Sequence, residues 1–262
     1  MLVLLPPSEG KFAPRRGRPL DLDSLSFPEL TSTREKVLDA LVELTAGDAQ
    51  GALRVLRLSP RQTDEVARDS ALLTAPTAPA GRIYTGVLYD ALDLATLDPA
   101  AKRRAQRSLL VFSALFGVLR LGDRIPAYRL SGDTTLPPLG TLAGVWREPL
   151  AVTMSKAAAR GLVVDLRSGA YAALWRPTGD IARRTVAVRV LQELPDGSRA
   201  VVSHFNKATK GRLVRAWLTD GAEPRDADGL ADACEKAGMV AELASAVTPA
   251  GVRRLDVIVS DL

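Results

Sequence analysis

The chain is poor in the residues that most often hold metals and bridges. It has one cysteine, Cys234, and one histidine, His204, in 262 residues. A single thiol excludes an internal disulfide framework and any all-cysteine zinc or iron–sulfur site. A single imidazole excludes zinc sites built on two or three histidines, so imidazole catalysis must run through His204. The carboxylates are scattered without transition-metal spacing, and no metal or cofactor is expected. Long hydrophobic runs are missing as well. The opening Met-Leu-Val-Leu-Leu has no basic segment before it and stops at Pro6-Pro7, too short for a signal-peptide core or a membrane span. A cytoplasmic protein without a membrane partner is expected. The rest, 47% hydrophobic and 25% charged, is a globular composition long enough to bury a sizeable core.

The net charge of +5 hides a segregation. Residues 1–20 carry +3, residues 101–129 carry +6 and residues 203–217 carry +4, while 218–262 carry −5. Three basic segments folded onto one face would make a field for polyanions. Within them, Lys102, Arg103, Arg104 and Arg107 read as the solvated face of one helix.

Patterning predicts a single domain over 1–262, of mixed α/β (α+β) class, with a mixed sheet flanked by helices. The first five residues read as a buried strand, and 12–30 as a long loop. Helices are expected from Ser32, where Ser32 and Glu35 have capping-box spacing, from Ser59-Pro60, over 84–92, 99–107, 142–160, 207–218 and near 228–237. Strands are expected over 109–115, 162–166, 186–194, 199–205 and 254–260, with a hairpin turn at Pro195-Asp196-Gly197-Ser198.

Five stretches carry chemistry. Pro6-Pro7-Ser8-Glu9-Gly10-Lys11 leaves the end of the first strand, where ligands bind open sheets. It is no Walker A loop, since Phe12 stands where a magnesium-holding hydroxyl is needed. In Tyr84-Thr85-Gly86-Val87-Leu88-Tyr89, the tyrosines are five apart and would not share a face of one helix, so packing roles are expected. Residues 113–133 hold Arg120, Arg124, Arg129 and Tyr128 on a Pro/Gly-bearing loop, suited to phosphate or base contact or to internal Arg–Asp pairing. Asp165-Leu166-Arg167-Ser168-Gly169-Ala170-Tyr171 again aims polar groups at a strand end, although Asp165 and Arg167 would also pair with each other. Ser203-His204-Phe205-Asn206-Lys207-Ala208-Thr209-Lys210-Gly211 reads as a strand delivering His204 to its end, Asn206 capping a helix, and Lys207 and Lys210 converging on an anion. No Gly-x-Ser-x-Gly elbow is present, so a Ser–His–Asp relay would have to join Ser8 or Ser203 to His204 and Asp165.

Together with Ala114-Leu115-Phe116-Gly117-Val118-Leu119-Arg120 and Ile125-Pro126-Ala127-Tyr128-Arg129-Leu130-Ser131-Gly132-Asp133, these motifs resemble, in order over residues 1 to about 217, the YaaA peroxide-stress-protein family. The resemblance implies an α/β fold with a helix-hairpin-helix element and a positively charged cleft that binds duplex or branched DNA. It also implies a role in limiting intracellular iron and oxidative DNA damage under peroxide stress. Carried onto this chain, the cleft candidates are Ser8, Glu9, Lys11, Arg129, Asp165, Arg167, Tyr171, His204, Asn206, Lys207 and Lys210. Two function classes follow. One is a DNA-binding, DNA-protecting protein. The other is an enzyme on a small anionic or nucleotide-like ligand held by Lys11, Arg167, Lys207 and Lys210, with Glu9, Asp165 or His204 moving protons. Glu9 and Asp165 buried in a tight pocket beside Lys11 would favour the enzyme; a long basic strip would favour DNA.

Overall fold

A computed structural model describes residues 1–194, 198–200, 203–245 and 247–259, with the backbone alone at 203–205. The first strand, β1 (Leu2–Leu5), is apolar at every position and buried on both faces, as a central parallel strand must be. The loop behind it contains 3-10 turns at Leu22–Ser24 and Pro28–Leu30. Helix α1 (Thr31–Ala46) grows out of the second turn with Leu30 as its cap residue, so Ser32 lies inside it and the expected capping box does not form. α2 (Ala49–Val55) is capped by the Asp48 carboxylate. Ser59 and Gln62 close a capping box around a 3-10 turn that feeds α3 (Thr63–Ser70).

β2 (Ala78–Pro79), α4 (Ala80–Ile83) and α5 (Val87–Leu92) follow. Gly86, at φ 89°, lies between the two helices and caps the second, so the helix expected over 84–92 begins only at Val87 and Tyr84 falls outside it. α6 (Pro99–Ser108) is capped by Asp98, whose carboxylate accepts the Ala100 and Ala101 N–H groups and is thereby held below its usual pKa. Its Lys102, Arg103 and Arg107 are exposed, as expected of a solvated face. Arg104 instead donates to the Leu218 and Thr219 carbonyls.

β3 (Leu109–Ser113), β4 (Gly117–Arg120), β5 (Arg124–Ile125), β6 (Thr135–Leu136) and β7 (Gly140–Thr141) lead to α7 (Leu142–Ala157). Next come β8 (Val163–Asp165), α8 (Gly169–Ala172), α9 (Gly179–Arg183) and β9 (Thr185–Glu193). The chain closes with β10 (Arg199–Ala200), α10 (Ser203–Asp220), α11 (Ala227–Lys236), β11 (Val240–Leu243) and β12 (Arg253–Val259). Residues 195–197 of the expected hairpin turn lie outside the described residues, but β10 pairs antiparallel with β9 as a hairpin requires. Sequence periodicity missed α2, β4, α9 and β11, and the stretch read as a loop over 113–133 contains β4 and β5.

The main sheet runs β11-β12-β9-β8-β1-β3-β4, with β10 on β9. β12, β9, β8, β1 and β3 are parallel, and β4 and β11 close the edges antiparallel. This is the mixed α/β sheet expected. The helix-hairpin-helix element implied by the resemblance is not confirmed by this arrangement. Among the described residues no helix is long and apolar enough to cross a membrane.

The connections fix where a site can form. The chain leaves β1 toward β3 on one side and leaves β8 toward β9 on the other, although β1 and β8 are neighbours. Such a divergence is a topological switch point, where ligands of open sheets bind beyond the carboxyl ends of the strands. A buried arginine holds the adjoining layer. Arg34 is 0% exposed and donates to the carbonyls of Ser26, Phe27, Phe116 and Val118, tying α1 to the β3–β4 turn. Its surroundings lower its pKa to about 10, chiefly through desolvation.

Candidate functional site

The segment after β1 is pinned to the segment between α4 and α5. The Tyr89 hydroxyl donates to the Pro6 carbonyl at 2.7 Å. Ser8 Oγ donates to the Gly10 carbonyl at 2.6 Å and accepts the Thr85 N–H at 3.1 Å. Lys11 forms an antiparallel bridge with Tyr84, and the Phe12 N–H reaches the Ile83 carbonyl. These bonds turn the half-buried Lys11 side chain inward. Its Nζ donates to the Ser8 carbonyl at 2.8 Å and lies 4.2 Å from the Tyr128 ring centroid and 5.7 Å from that of Tyr84. Desolvation, reinforced by the Arg129 charge, lowers the Lys11 pKa to about 7.

Around this amine sits a polar core. The Tyr84 and Tyr128 hydroxyls are 3.0 Å apart, and Tyr128 continues to Ser113 Oγ at 2.7 Å. Tyr84 and Tyr89 are buried and their rings stack at 5.5 Å. The break at Gly86 permits this stacking, which one continuous helix would have prevented. Asp69 on α3 is 0% exposed; its Oδ1 accepts the Arg129 N–H at 2.9 Å and its Oδ2 has no partner. Burial pushes its pKa up to about 7, against the pull of that N–H and of Lys11. Arg129 Nη2 donates to Glu9 Oε2 at 3.2 Å, on a Glu9 side chain that is 80% exposed. Ser8, Glu9, Lys11 and Arg129 are therefore brought together, with Glu9 on the rim rather than buried.

At the end of β8 the expected residues pair with one another. Arg167 Nε and Nη2 donate to Asp165 Oδ1 and Oδ2 at 2.9 and 2.7 Å, and Nη1 donates to the Tyr171 carbonyl at 3.2 Å. The guanidinium lies 4.1 Å from the Phe112 ring centroid and 5.3 Å from that of Trp175, with a side chain that is 0% exposed. Arg167 is fully engaged and does not present itself to a ligand. Tyr171 stands between the two groups, its carbonyl on Arg167 and its ring 3.2 Å from where a Cβ on Gly132 would lie. Burial raises its hydroxyl pKa to about 12.

The 203–211 motif differs from its reading. α10 begins at Ser203, so His204 lies in the first turn of a helix and not at a strand end, and the side chains of Ser203 and His204 lie outside the described residues. Asn206 is inside the helix, not its cap, and its buried Oδ1 has no partner. Lys207 and Lys210 do not converge. Lys207 is exposed, whereas the buried Lys210 donates to the Leu166 carbonyl at 3.1 Å. Desolvation lowers the Lys210 pKa to about 8, with Asp165 opposing. Three residues turn a helix by about 300°, and the remaining angle of about 60° leaves enough difference for one amine to face the sheet and the other to face water.

The opposite side of the 11–16 segment borders a groove of about 370 Å³ lined by Phe12, Arg15, Arg16, Arg82 and Arg124, with Arg82 4.9 Å from the Phe12 ring centroid. No carboxylate lines it among the described residues. Arg124 also donates to the Thr77 carbonyl. The basic segments meet here only in part: 1–20 supplies Arg15 and Arg16, 101–129 supplies Arg124, and 203–217 supplies none, while Arg104 and Arg215 bind backbone carbonyls elsewhere.

Sequence reading missed Asp69 and the aromatic sandwich around Arg167, and it gave no role to Ser113 within the 113–133 stretch. A signal for Asp69 exists. It falls three residues after Val66 and three before Leu72, on the apolar face of α3, where a carboxylate is out of place.

Residues 1–238 match the family model described as peroxide stress protein YaaA. A UPF0246 protein of Streptomyces coelicolor is 55% identical over 262 residues, covering 100% of both chains. One from Corynebacterium efficiens is 46% identical over 247 residues, covering 93% of this chain and 95% of that one. On the family match over residues 1–238 and the identity to a relative over the full chain, the chain belongs to the YaaA peroxide stress protein family.

Proposed function

We propose that this protein binds DNA and protects it during peroxide stress, with any effect on free iron being indirect. The observation that carries the reading is the carboxylate-free groove of Arg15, Arg16, Arg82 and Arg124. Guanidinium groups without acidic neighbours suit phosphate oxygens, and no base-reading element is implied. Shape and charge then govern binding, to duplex or branched DNA alike.

Fluorescence anisotropy with duplex and four-way-junction probes across a salt series tests this. Binding that weakens steeply with salt, and that is at least tenfold weaker in Arg15→Ala/Arg16→Ala, supports it. Binding indifferent to those arginines sinks it.

A second reading, an enzyme on a small anionic or nucleotide-like substrate, is favoured by Lys11 and Asp69. Two ionisable groups moved toward neutrality from opposite directions, beside a carboxylate oxygen with no partner, are a pattern of catalytic sites. A duplex-binding surface has no need of a buried carboxylate with an unpartnered oxygen.

A further inference from the structure

The loop leaving β1 carries an amine set for carbonyl chemistry. Lys11 Nζ has neutral partners, the Ser8 and Glu9 carbonyls and the faces of Tyr128 and Tyr84. Its side chain is half-buried rather than sealed. Asp69, fully buried and electrostatically coupled to Lys11, has one carboxylate oxygen with no hydrogen-bond partner. Arg129 stands over both, its amide on Asp69 and its guanidinium on the exposed Glu9, which is free to swing away and release it. Unlike Lys210, whose buried amine is closed against the Leu166 carbonyl, Lys11 is half-buried and lies beside a second ionisable group. An amine kept partly uncharged near neutrality is a nucleophile toward carbonyl carbon.

We propose that Lys11 forms an imine with an aldehyde borne next to a phosphate, with Asp69 exchanging the protons and Arg129 facing the phosphate. The uncharged Nζ donates its lone pair to the carbonyl carbon, the π pair of the C=O moves to oxygen, and Asp69 passes one of the two protons on nitrogen to that oxygen, giving a neutral carbinolamine and leaving Asp69 protonated again. The resulting carbinolamine loses that oxygen as water, taking a proton from Asp69 as the C–O bond breaks and the nitrogen lone pair forms C=N. The proton lost from nitrogen returns to the Asp69 carboxylate. Amine and aldehyde give imine and water, with no change of oxidation state. Two sources supply such an aldehyde, the ring-opened deoxyribose of a base-less site in DNA and a free phosphorylated aldehyde. The first rests on the DNA-binding reading; the second does not.

The test is borohydride trapping with the full chain. One arm uses a duplex containing a single abasic site, the other glyceraldehyde 3-phosphate, each with sodium cyanoborohydride and with peptide mapping by mass spectrometry. Binding to a duplex with a tetrahydrofuran analogue, which has no aldehyde, is measured in parallel. The expected result is an adduct mapped to Lys11, absent in Lys11→Arg and formed about a hundredfold more slowly in Asp69→Asn. Trapping in one arm alone identifies the source and supports the proposal. No adduct in either arm overturns it, as do adducts spread over exposed lysines such as Lys102 and Lys207 with Lys11 no faster. Analogue binding without an adduct overturns the imine and leaves DNA binding standing. An adduct from glyceraldehyde 3-phosphate without analogue binding does the reverse. Site mapping on the unsubstituted chain decides the matter even where a variant fails to fold.

Discussion

Gly211 of α10 meets Leu88 of α5 so closely that a Cβ built on the glycine would stand 2.2 Å from the Leu88 carbonyl oxygen. The glycine that ends the Ser-His-Phe-Asn-Lys-Ala-Thr-Lys-Gly motif is thus a packing residue: it lets two helices touch backbone to backbone beneath the site.

Gly211→Ala must push the helices apart. We expect a loss of about 3 kcal/mol, at the upper end of overpacking penalties. Gly122→Ala, where the added carbon meets nothing within 4 Å, is expected to stay within about 0.5 kcal/mol of the unsubstituted chain. Urea unfolding of both variants measures the contrast, and equal midpoints would contradict the close approach.

Lys11 and Asp69 make opposite contributions to the pH dependence of stability. Asp69 is raised from 3.8 to about 7, so the folded state holds the extra proton and stability falls as pH rises through that window. Lys11 is lowered from 10.5 to about 7, so the unfolded state holds the extra proton and stability rises from about 7 toward 10.5. The pair together contribute a minimum near neutrality. Asp69→Asn should flatten the acid limb and Lys11→Met the alkaline limb, read from unfolding free energies at several pH values. A pair of unchanged limbs would refute the assignment.

The two lysines of the α10 motif should separate cleanly. Lys210→Ala leaves the Leu166 carbonyl without its donor and is expected to cost about 1–2 kcal/mol. Lys207→Ala touches only an exposed side chain, so stability should change by less than about 0.5 kcal/mol while any polyanion binding weakens. Thermal unfolding beside an anisotropy titration distinguishes them. A stability loss at Lys207 with none at Lys210 would reverse the placement.

For the arginine groove, the diagnostic quantity is the salt slope. Each phosphate contact removed lowers it by about 0.9. Arg15→Ala/Arg16→Ala should therefore reduce the slope of log K against log salt by about 2, uniformly across probe sequences. An unaltered slope would place the contacts elsewhere.

Residue order alone was enough for the mixed α/β class, most element boundaries and the two loops that bear the site. β1 is apolar at each position and ends at tandem prolines, and Asp98-Pro99 announces α6, because these signals are local and depend on periodicity and backbone geometry. The partition of charge was likewise open to reading, since it is simple counting. What tertiary structure decided was which of those groups remain available. Arg167 was expected to meet a ligand, but β3 brings Phe112 and the segment after α8 brings Trp175 onto its faces, and Asp165 takes its fork. Asp69 comes from a helix about sixty residues from either Lys11 or Arg129 in sequence, and only chain folding sets it beside them. The physical reason is range. Propensity, capping and turn chemistry act over a few residues, whereas desolvation and the competition for each buried hydrogen-bond partner depend on segments that meet only in the folded chain.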